Sequence, residues 1–305
     1  MKQLAILSGK GGTGKTNLSA AFAYLGSTPE YAVNAVFVDA DVDAANLGLV
    51  IQPKIISSND FWGGSLAEID PSQCSGCGTC ETVCRYDAIH ADPIHLGACS
   101  IDPIACDGCA ACVYACPQKA IRMIPQQEGY WMLSNTPFGA LFHAELFPGK
   151  ENSGKLVTMV KQQARLWAEE RNESLVIIDG PPGIGCPVIS ACAGVDLGLI
   201  VTEPGLAGLH DLQRVLGTLQ HFHIPTVICI NKADVYPQGT NQIHEFATLE
   251  GIEVVGEIPF DQHVHDAILL GAPVTQSFPD SPAARSIQLI WAEVLKLLFT
   301  RKAEA

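Results

Sequence analysis

Eight cysteines fall in two identical runs. Cys74, Cys77, Cys80 and Cys84 are spaced C-x2-C-x2-C-x3-C, and Cys106, Cys109, Cys112 and Cys116 repeat that spacing, with Pro117 after the last. Twelve cysteines in an exported chain would suggest disulfides, but this spacing favours metal held on thiolates in a reducing compartment. Structural zinc also uses C-x2-C pairs. Eight thiolates in two four-membered runs exceed what a zinc site needs, and they suit iron–sulfur clusters. A second chemistry opens the chain. Gly9-Lys10-Gly11-Gly12-Thr13-Gly14-Lys15-Thr16 fits G-x-x-x-x-G-K-[ST], a phosphate-binding loop. Its glycines let backbone N–H groups face a β-phosphate, and the helix behind it adds a positive field. Lys15 is expected on the β- and γ-phosphates and the Thr16 hydroxyl on Mg²⁺.

These groups need elements to hold them. Gln3–Leu7 reads as a buried strand ending in the glycine loop, with a helix from about Lys15 to Leu25. Asn34–Val38 is a second short strand ending at Asp39. Strand-like runs recur at Ser174–Ile178, Leu197–Thr202, Thr226–Ile230 and Glu253–Val255. Helical patterns separate them at Ser153–Arg171, Leu209–Phe222, Asn241–Glu250 and Ala283–Phe299. The alternation predicts an α/β fold, a doubly wound and mostly parallel sheet covered on both faces. From about Ile56 to Pro148 the alternation breaks into a Cys-, Gly-, Pro- and Asp-rich stretch. There Cys84-Arg85-Tyr86-Asp87-Ala88-Ile89 matches Cys116-Pro117-Gln118-Lys119-Ala120-Ile121. The expected organisation is a nucleotide domain from 1–55 and 149–305, interrupted by a small pseudo-symmetric α+β domain over 56–148.

Composition narrows the partners. The net charge is −14 with only 18 Lys and Arg, which argues against wrapping nucleic acid and against an anionic membrane surface. The apolar start, Leu4–Leu7, is too short for a signal sequence, and no uninterrupted run approaches a membrane helix, so a cytoplasmic protein is expected.

The K-G-G-x-G-K-T pattern around Lys10 resembles the deviant Walker A loop of the MinD/ParA/Mrp superfamily, which includes the nitrogenase iron protein. The resemblance covers residues 1–50 and 150–275. It implies that Lys10 reaches the partner's nucleotide across an ATP-dependent sandwich homodimer, or a heterodimer with a related ATPase. Val38-Asp39-Ala40-Asp41-Val42-Asp43, with Asn46-Leu47, resembles switch I. By that likeness Asp41 orients the attacking water and Asp39 supports Mg²⁺. Val176-Ile177-Ile178-Asp179-Gly180-Pro181-Pro182-Gly183 resembles switch II, with Asp179 on Mg²⁺ through water and Gly183 donating to a γ-phosphate. Asn231-Lys232-Ala233-Asp234 and Ile258-Pro259-Phe260-Asp261 look like the base-contacting loops. Asn231, Pro259 and Asp261 would then contact the base. Asp234 alone would suggest guanine, but the rest of the chain follows the ATPase pattern. Within the superfamily, Asp41–Leu47, Ser153-Gly154-Lys155-Leu156-Val157 and Pro182-Gly183-Ile184-Gly185-Cys186-Pro187-Val188 look like the members carrying an inserted ferredoxin domain.

The cysteine runs resemble bacterial ferredoxins that hold two [4Fe–4S] clusters. That resemblance assigns Cys74, Cys77, Cys80 and Cys116 to one cluster and Cys106, Cys109, Cys112 and Cys84 to the other. Arg85 stands where a proline is usual after the fourth cysteine. Cys99 reads as a bystander thiol, and Cys192 and Cys229 as core. Cys186 reads as a buried structural thiol, with a dimer-bridging metal site as the alternative. The chain lacks the C-terminal C-x-x-C of scaffold relatives, which counts against simple scaffold activity. The scattered histidines, His221, His223, His263 and His265 among them, read as surface or loop residues without catalysis. MinD ends in a membrane-targeting helix. Here Ile287, Ile290, Trp291, Val294, Leu295 and Leu298 recur at helical spacing, but Lys296, Arg301 and Lys302 are few and Glu293 and Glu304 oppose them, which favours docking on the sheet. The function expected is a dimeric ATP-hydrolysing switch coupled to iron–sulfur electron transfer or metal-cofactor assembly, with a redox or metal-cofactor protein as partner. The alternatives are a MinD/ParA-like spatial organiser with sensing or structural clusters, and a cluster carrier with weak ATPase activity.

Overall fold

Apolar residues run without alternation through Leu4–Leu7, Val36–Val38, Val176–Ile178, Leu199–Val201 and Val227–Ile230, and all are buried. That is the pattern of strands covered on both faces. The computed structural model describes residues 1–95, 97–150 and 154–300; Ser153, Arg301, Lys302 and Glu304, used in the sequence reading, lie outside the described residues. The strands among them are β1 (Lys2–Ser8), β2 (Ala35–Asp39), β3 (Lys54–Ile69), β4 (Ile89–Ala91), β5 (Cys99–Ile101), β6 (Ile121–Thr136), β7 (Gly139–Leu146), β8 (Leu175–Pro182), β9 (Leu197–Thr202), β10 (Thr226–Asn231) and β11 (Glu253–Ile258). Nine form one sheet in the order β11-β10-β9-β1-β8-β2-β7-β6-β3. β1 lies parallel to β8 and β9, β2 to β8 and β7, and β10 to β9 and β11.

This architecture decides where chemistry happens, because ligands of open α/β sheets bind outside the carboxyl ends of the strands. The register sets Asp39 of β2 beside Asp179 of β8, and Ile6 of β1 beside that same Asp179. Helices Lys15–Ser27, Lys155–Arg171, Cys186–Cys192, Leu206–His221, Pro237–Glu250 and Gln262–Leu269 alternate with the strands. The expected helix starts move outward, from Leu209 to Leu206 and from Asn241 to Pro237, where Pro237 takes the first helical turn. The Pro282–Thr300 helix buries Ile287, Ile290, Trp291, Val294 and Leu298 in the main core, as its spacing predicts. No helix among the described residues is long and apolar enough to cross a membrane.

The chain divides into two compact units, Met1–Asn59 with Tyr130–Ala305, and Asp60–Gly129. The expected insert, 56–148, is therefore too long at its C-terminal end. β7 belongs to the first unit and pairs in parallel with β2, burying Leu141, Phe142 and Ala144. The two 16-residue strands β3 and β6 also escape the sequence reading. Gly63, Gly64 and Pro125 interrupt their periodicity and suggest turns instead.

The second unit is built twice over. Asp70 N–H donates to the Ala120 carbonyl and Asp102 N–H to the Ala88 carbonyl, both at 2.8 Å. Cys74 N–H then donates to Asp70 and Cys106 N–H to Asp102. Short helices follow at Thr79–Val83 and Ala111–Ala115, and β4 pairs antiparallel with β5.

Trp291 is fully buried and packs on Phe22 at 4.7 Å between ring centroids and on Tyr31 at 6.3 Å. Truncating a buried tryptophan typically costs about 3–5 kcal/mol. Trp291→Ala should lower unfolding free energy by that order in urea titration, and a loss well under 1 kcal/mol would show that the last helix is not part of the cooperative core.

Candidate functional site

Three strand ends converge on one buried charge cluster. β1 ends at Ser8, whose hydroxyl accepts from Lys15 Nζ at 2.8 Å and donates to the Lys10 carbonyl at 2.6 Å. Gly14 opens the following helix at φ +94°, and a Cβ there would collide with Asn231 Nδ2, so the position demands glycine twice over. Lys15 is 6% exposed. Burial lowers its pKa, opposed by the carboxylates of Asp179, Asp41 and Asp39.

The two carboxylates facing it are almost wholly buried. Asp39 accepts from the Leu47 N–H at 3.0 Å and the Asp41 N–H at 3.2 Å. Burial, then the charge of Asp179, hold its carboxyl well above the usual range. Asp179 accepts from the Ser19 hydroxyl at 2.9 Å. Burial pushes it up to about 6 against the pull of Thr16, Lys15 and Ser19. Asp41 is half-buried and also raised by burial, with Lys15 opposing. One ammonium thus faces three carboxylates, a donor set of oxygens that fits a hard divalent cation. The Thr13 hydroxyl is buried in the loop without a hydrogen-bond partner, a polar atom of the kind a phosphate would satisfy.

The remaining predicted residues are placed as follows. Lys10 pairs with Glu203 at 3.3 Å, and Lys232 holds the other oxygen of Glu203 at 2.6 Å. The Gly183 N–H donates to the Ser8 carbonyl at 3.0 Å, so a γ-phosphate contact requires that bond to open. Asn231 donates to the Thr13 carbonyl at 2.8 Å, tying the expected base loop to the phosphate loop. Asp234 accepts from the Phe260 N–H at 2.6 Å beside Pro259, which engages the carboxylate that would read guanine. Asp261 caps the Gln262–Leu269 helix through His263 N–H and also accepts from Ala283 N–H. Ser8, Ser19 and Glu203 were missed. Ser19 stands one helical turn after Lys15, the only sequence signal that it shares a face with it.

Two voids of the second unit are lined by the cysteine runs. Cys74, Cys77, Cys80 and Cys116 line one, and Cys84, Cys106, Cys109 and Cys112 line the other. Each set takes three thiols from one run and the fourth from the other. Backbone N–H groups of Gly76, Ala88 and Ala120 donate to the sulfurs of Cys74, Cys84 and Cys116, each at 3.4 Å. All twelve cysteines are free. Among the described residues no group of three or more His, Cys, Asp or Glu side chains stands close enough together to hold a metal ion as it is.

Two cysteine readings need correction. Cys99 does not stand apart from the two runs: it lines the first void together with Cys80. Cys186 is exposed, not buried, because it starts the Cys186–Cys192 helix at the surface. Cys192 and Cys229 are core, and burial pushes Cys229 up to about 12. Among the histidines, His143 is half-buried on β7 and hydrogen-bonds Ser134 at 2.8 Å.

A family model described as the CobQ/CobB/MinD/ParA nucleotide binding domain matches residues 4–274. An uncharacterised protein of Methanocaldococcus jannaschii is 38% identical over 259 residues, 85% of this chain and 84% of its own. An iron–sulfur cluster carrier protein of Pyrococcus abyssi is 26% identical over 165 residues, 50% of this chain and 55% of its own. The septum site-determining protein MinD of Pyrococcus horikoshii, solved with Mg-ADP, superposes with a TM-score of 0.58 at 17% identity over 99% of both chains, a likeness of fold.

The raised carboxyl of Asp179 fixes a pH dependence. Between its ordinary 3.8 and about 6 the native group holds a proton that the unfolded chain has released. Its contribution to stability is therefore full at low pH and lost as pH rises through about 6. In metal-free buffer Asp179→Asn should melt higher than the parent at pH 8 and narrow the gap between pH 5 and pH 8. A variant melting below the parent at pH 8 would contradict this electrostatic account.

Proposed function

The chain belongs to the CobQ/CobB/MinD/ParA nucleotide-binding family and is a P-loop ATPase, and from that premise we propose that its ATP turnover is coupled to two [4Fe–4S] clusters held by the Asp60–Gly129 unit. The observation that carries the coupling is the pair of four-thiol voids, each drawing three cysteines from one run and one from the other. That division matches the ligand sharing of two-cluster sites. The donor set fits the group: four free thiols per void, with backbone N–H groups already directed at three of the sulfurs. Cys74, Cys77, Cys80 and Cys116 would hold one cluster, and Cys106, Cys109, Cys112 and Cys84 the other. When bound, such clusters carry single electrons. A distant relative named as an iron–sulfur cluster carrier supports a cluster-handling role and leaves open delivery as its form.

In this reading Lys15 and the Gly11–Gly14 amides hold the ATP phosphates, and Thr16, Asp39 and Asp179 hold Mg²⁺ directly or through water. The ion neutralises phosphate charge and relieves the crowded carboxylates. Asp41, half-exposed at the rim, orients the attacking water. Lys10 leaves Glu203 to reach the nucleotide of a second copy, so hydrolysis proceeds in a homodimer. The acidic surface and the docked last helix favour this reading over a MinD-like organiser recruited to nucleic acid or membrane.

Two measurements test it. Protein purified and reconstituted anaerobically should carry about eight iron per chain, as two four-iron clusters require; zinc instead, or a single cluster, sinks the proposal for the second unit. For the ATPase unit, Lys15→Ala should lose nucleotide binding. Asp41→Ala should bind ATP and dimerise without turnover, and Lys10→Ala should bind ATP but stay monomeric in sedimentation. Unchanged dimerisation of Lys10→Ala would remove Lys10 from its assigned role.

A further inference from the structure

The two halves of the Asp60–Gly129 unit repeat one another, and one of their differences stands beside the ligand sulfurs. Ile69, Ala120 and Ile121 wall the first void as Ile101, Ala88 and Ile89 wall the second. The backbone bonds that set Cys74 and Cys106 are likewise equivalent. Ile101 on β5 corresponds to Ile69 on β3, so two residues earlier Cys99 corresponds to Ala67. Cys99 lines the first void and Ala67 the second. Both are buried, at 5% and 7% exposure, so neither difference is a surface accident. Cys99 shares that wall with Cys74, Cys77, Cys80 and Cys116, and it belongs with Cys80 to one buried cluster. Opposite it in the second half stands only a methyl group.

We infer that Cys99 is a positioning residue that presents its S–H to the ligand sulfurs of the first void and makes the two clusters electronically unequal, an inference that rests on the cluster reading above. Ligation removes the protons of the four cysteines and turns their sulfurs into acceptors. Cys99, the one cysteine on that wall outside the ligand set, keeps an S–H to give. Reduction adds negative charge to the cluster and its sulfurs. A donor at a ligand sulfur therefore favours the reduced state and raises the potential. The cluster on Cys74, Cys77, Cys80 and Cys116 is accordingly the electron sink, and the one on Cys106, Cys109, Cys112 and Cys84 the donor to it. The other wall differences do not oppose this. Asp107 and Tyr86 replace Ser75 and Gln118 at the second void, where the acidic group lowers the potential, and Thr79, whose hydroxyl stands 3.4 Å from the Cys77 sulfur, is matched by Ala111 in the second half.

The test is an anaerobic redox titration of the reconstituted full chain, followed by electron paramagnetic resonance, with iron counted in each sample. The parent should show two resolved midpoint potentials. Cys99→Ala should keep its full iron and move only the higher potential down, toward the lower one. Cys99→Ser, which retains a hydroxyl donor, should hold the higher potential near the parent's value. Ala67→Cys should raise the lower one. Potentials unmoved in Cys99→Ala overturn the inference while leaving the clusters in place. So does a serine variant that follows the alanine variant, since packing would then be the cause. Loss of iron in Cys99→Ala overturns it in another way, by making Cys99 a ligand. A parent that binds no iron removes the cluster reading itself, and the inference with it, before any variant is made.

Discussion

Everything at the nucleotide site depends on one costly arrangement, two carboxylates and an ammonium taken out of water at adjacent strand ends. Asp39 and Asp179 are neighbours because β2 and β8 pair in parallel with those residues in register. A shift of register by one would turn one of them to the other face of the sheet. Burying such charges is expensive unless hydrogen bonds and opposite charge offset it. Here the Leu47 and Asp41 amides and the Ser19 hydroxyl supply the bonds, and Lys15 supplies a single positive charge. The balance stays negative, which is why burial holds both carboxyls up. A site in that condition gains most from a divalent cation, and the phosphate loop beside it brings the anion such a cation needs.

Around that centre the loops are tied to one another. Asn231 holds Thr13, Glu203 holds Lys10 and Lys232, and Gly183 holds Ser8. Loops after β1, β8, β9 and β10 are therefore tied by bonds for which an entering phosphate would compete. Switch-like coupling requires an element with two arrangements that a ligand distinguishes, and these replaceable bonds provide one. Along the chain, Asp39 fixes Leu47, the Gly48–Ile51 turn of helix follows, and β3 begins at Lys54 on its way to the second unit. The covalent path from the cation-facing carboxylate to the cysteine-rich unit is short.

The parallel core was legible because its strands are unbroken apolar runs and its helices carry long periods. The phosphate loop and both cysteine runs were legible because backbone chemistry fixes their spacing. What stayed hidden depends on contacts between distant segments. Ser19 matters only through Asp179, and Glu203 only through two lysines from other loops. Cys186 sits among Ile184, Pro187 and Val188 and looks buried, yet it opens a helix at the surface. β3 and β6 were concealed by their glycines and proline. At Gly63 and Gly64 a Cβ would meet Glu128, so these glycines serve a close approach between strands and do not end them. Cys99 carries no motif and becomes visible only when the repeat is overlaid on the voids.

The second unit also constrains how its clusters are to be understood. One buried cluster in it is made of Ala67, Cys80, Ile89, Cys99, Cys112 and Ile121, half of them cysteine, with further cysteines packed around it. A small unit with few large apolar side chains draws limited stability from hydrophobic burial, and such domains often use metals or disulfides. The cysteines are free, so on the proposed reading metal is the staple. Where a site forms only on folding, the free energy of binding is free energy of folding. On the proposed reading, then, holding electrons and holding the unit together are one property of the same eight thiolates. A separate structural role need not be set against a redox one. The asymmetry at Cys99 and Ala67 gains weight from this, because folding alone would be served by either residue on both walls.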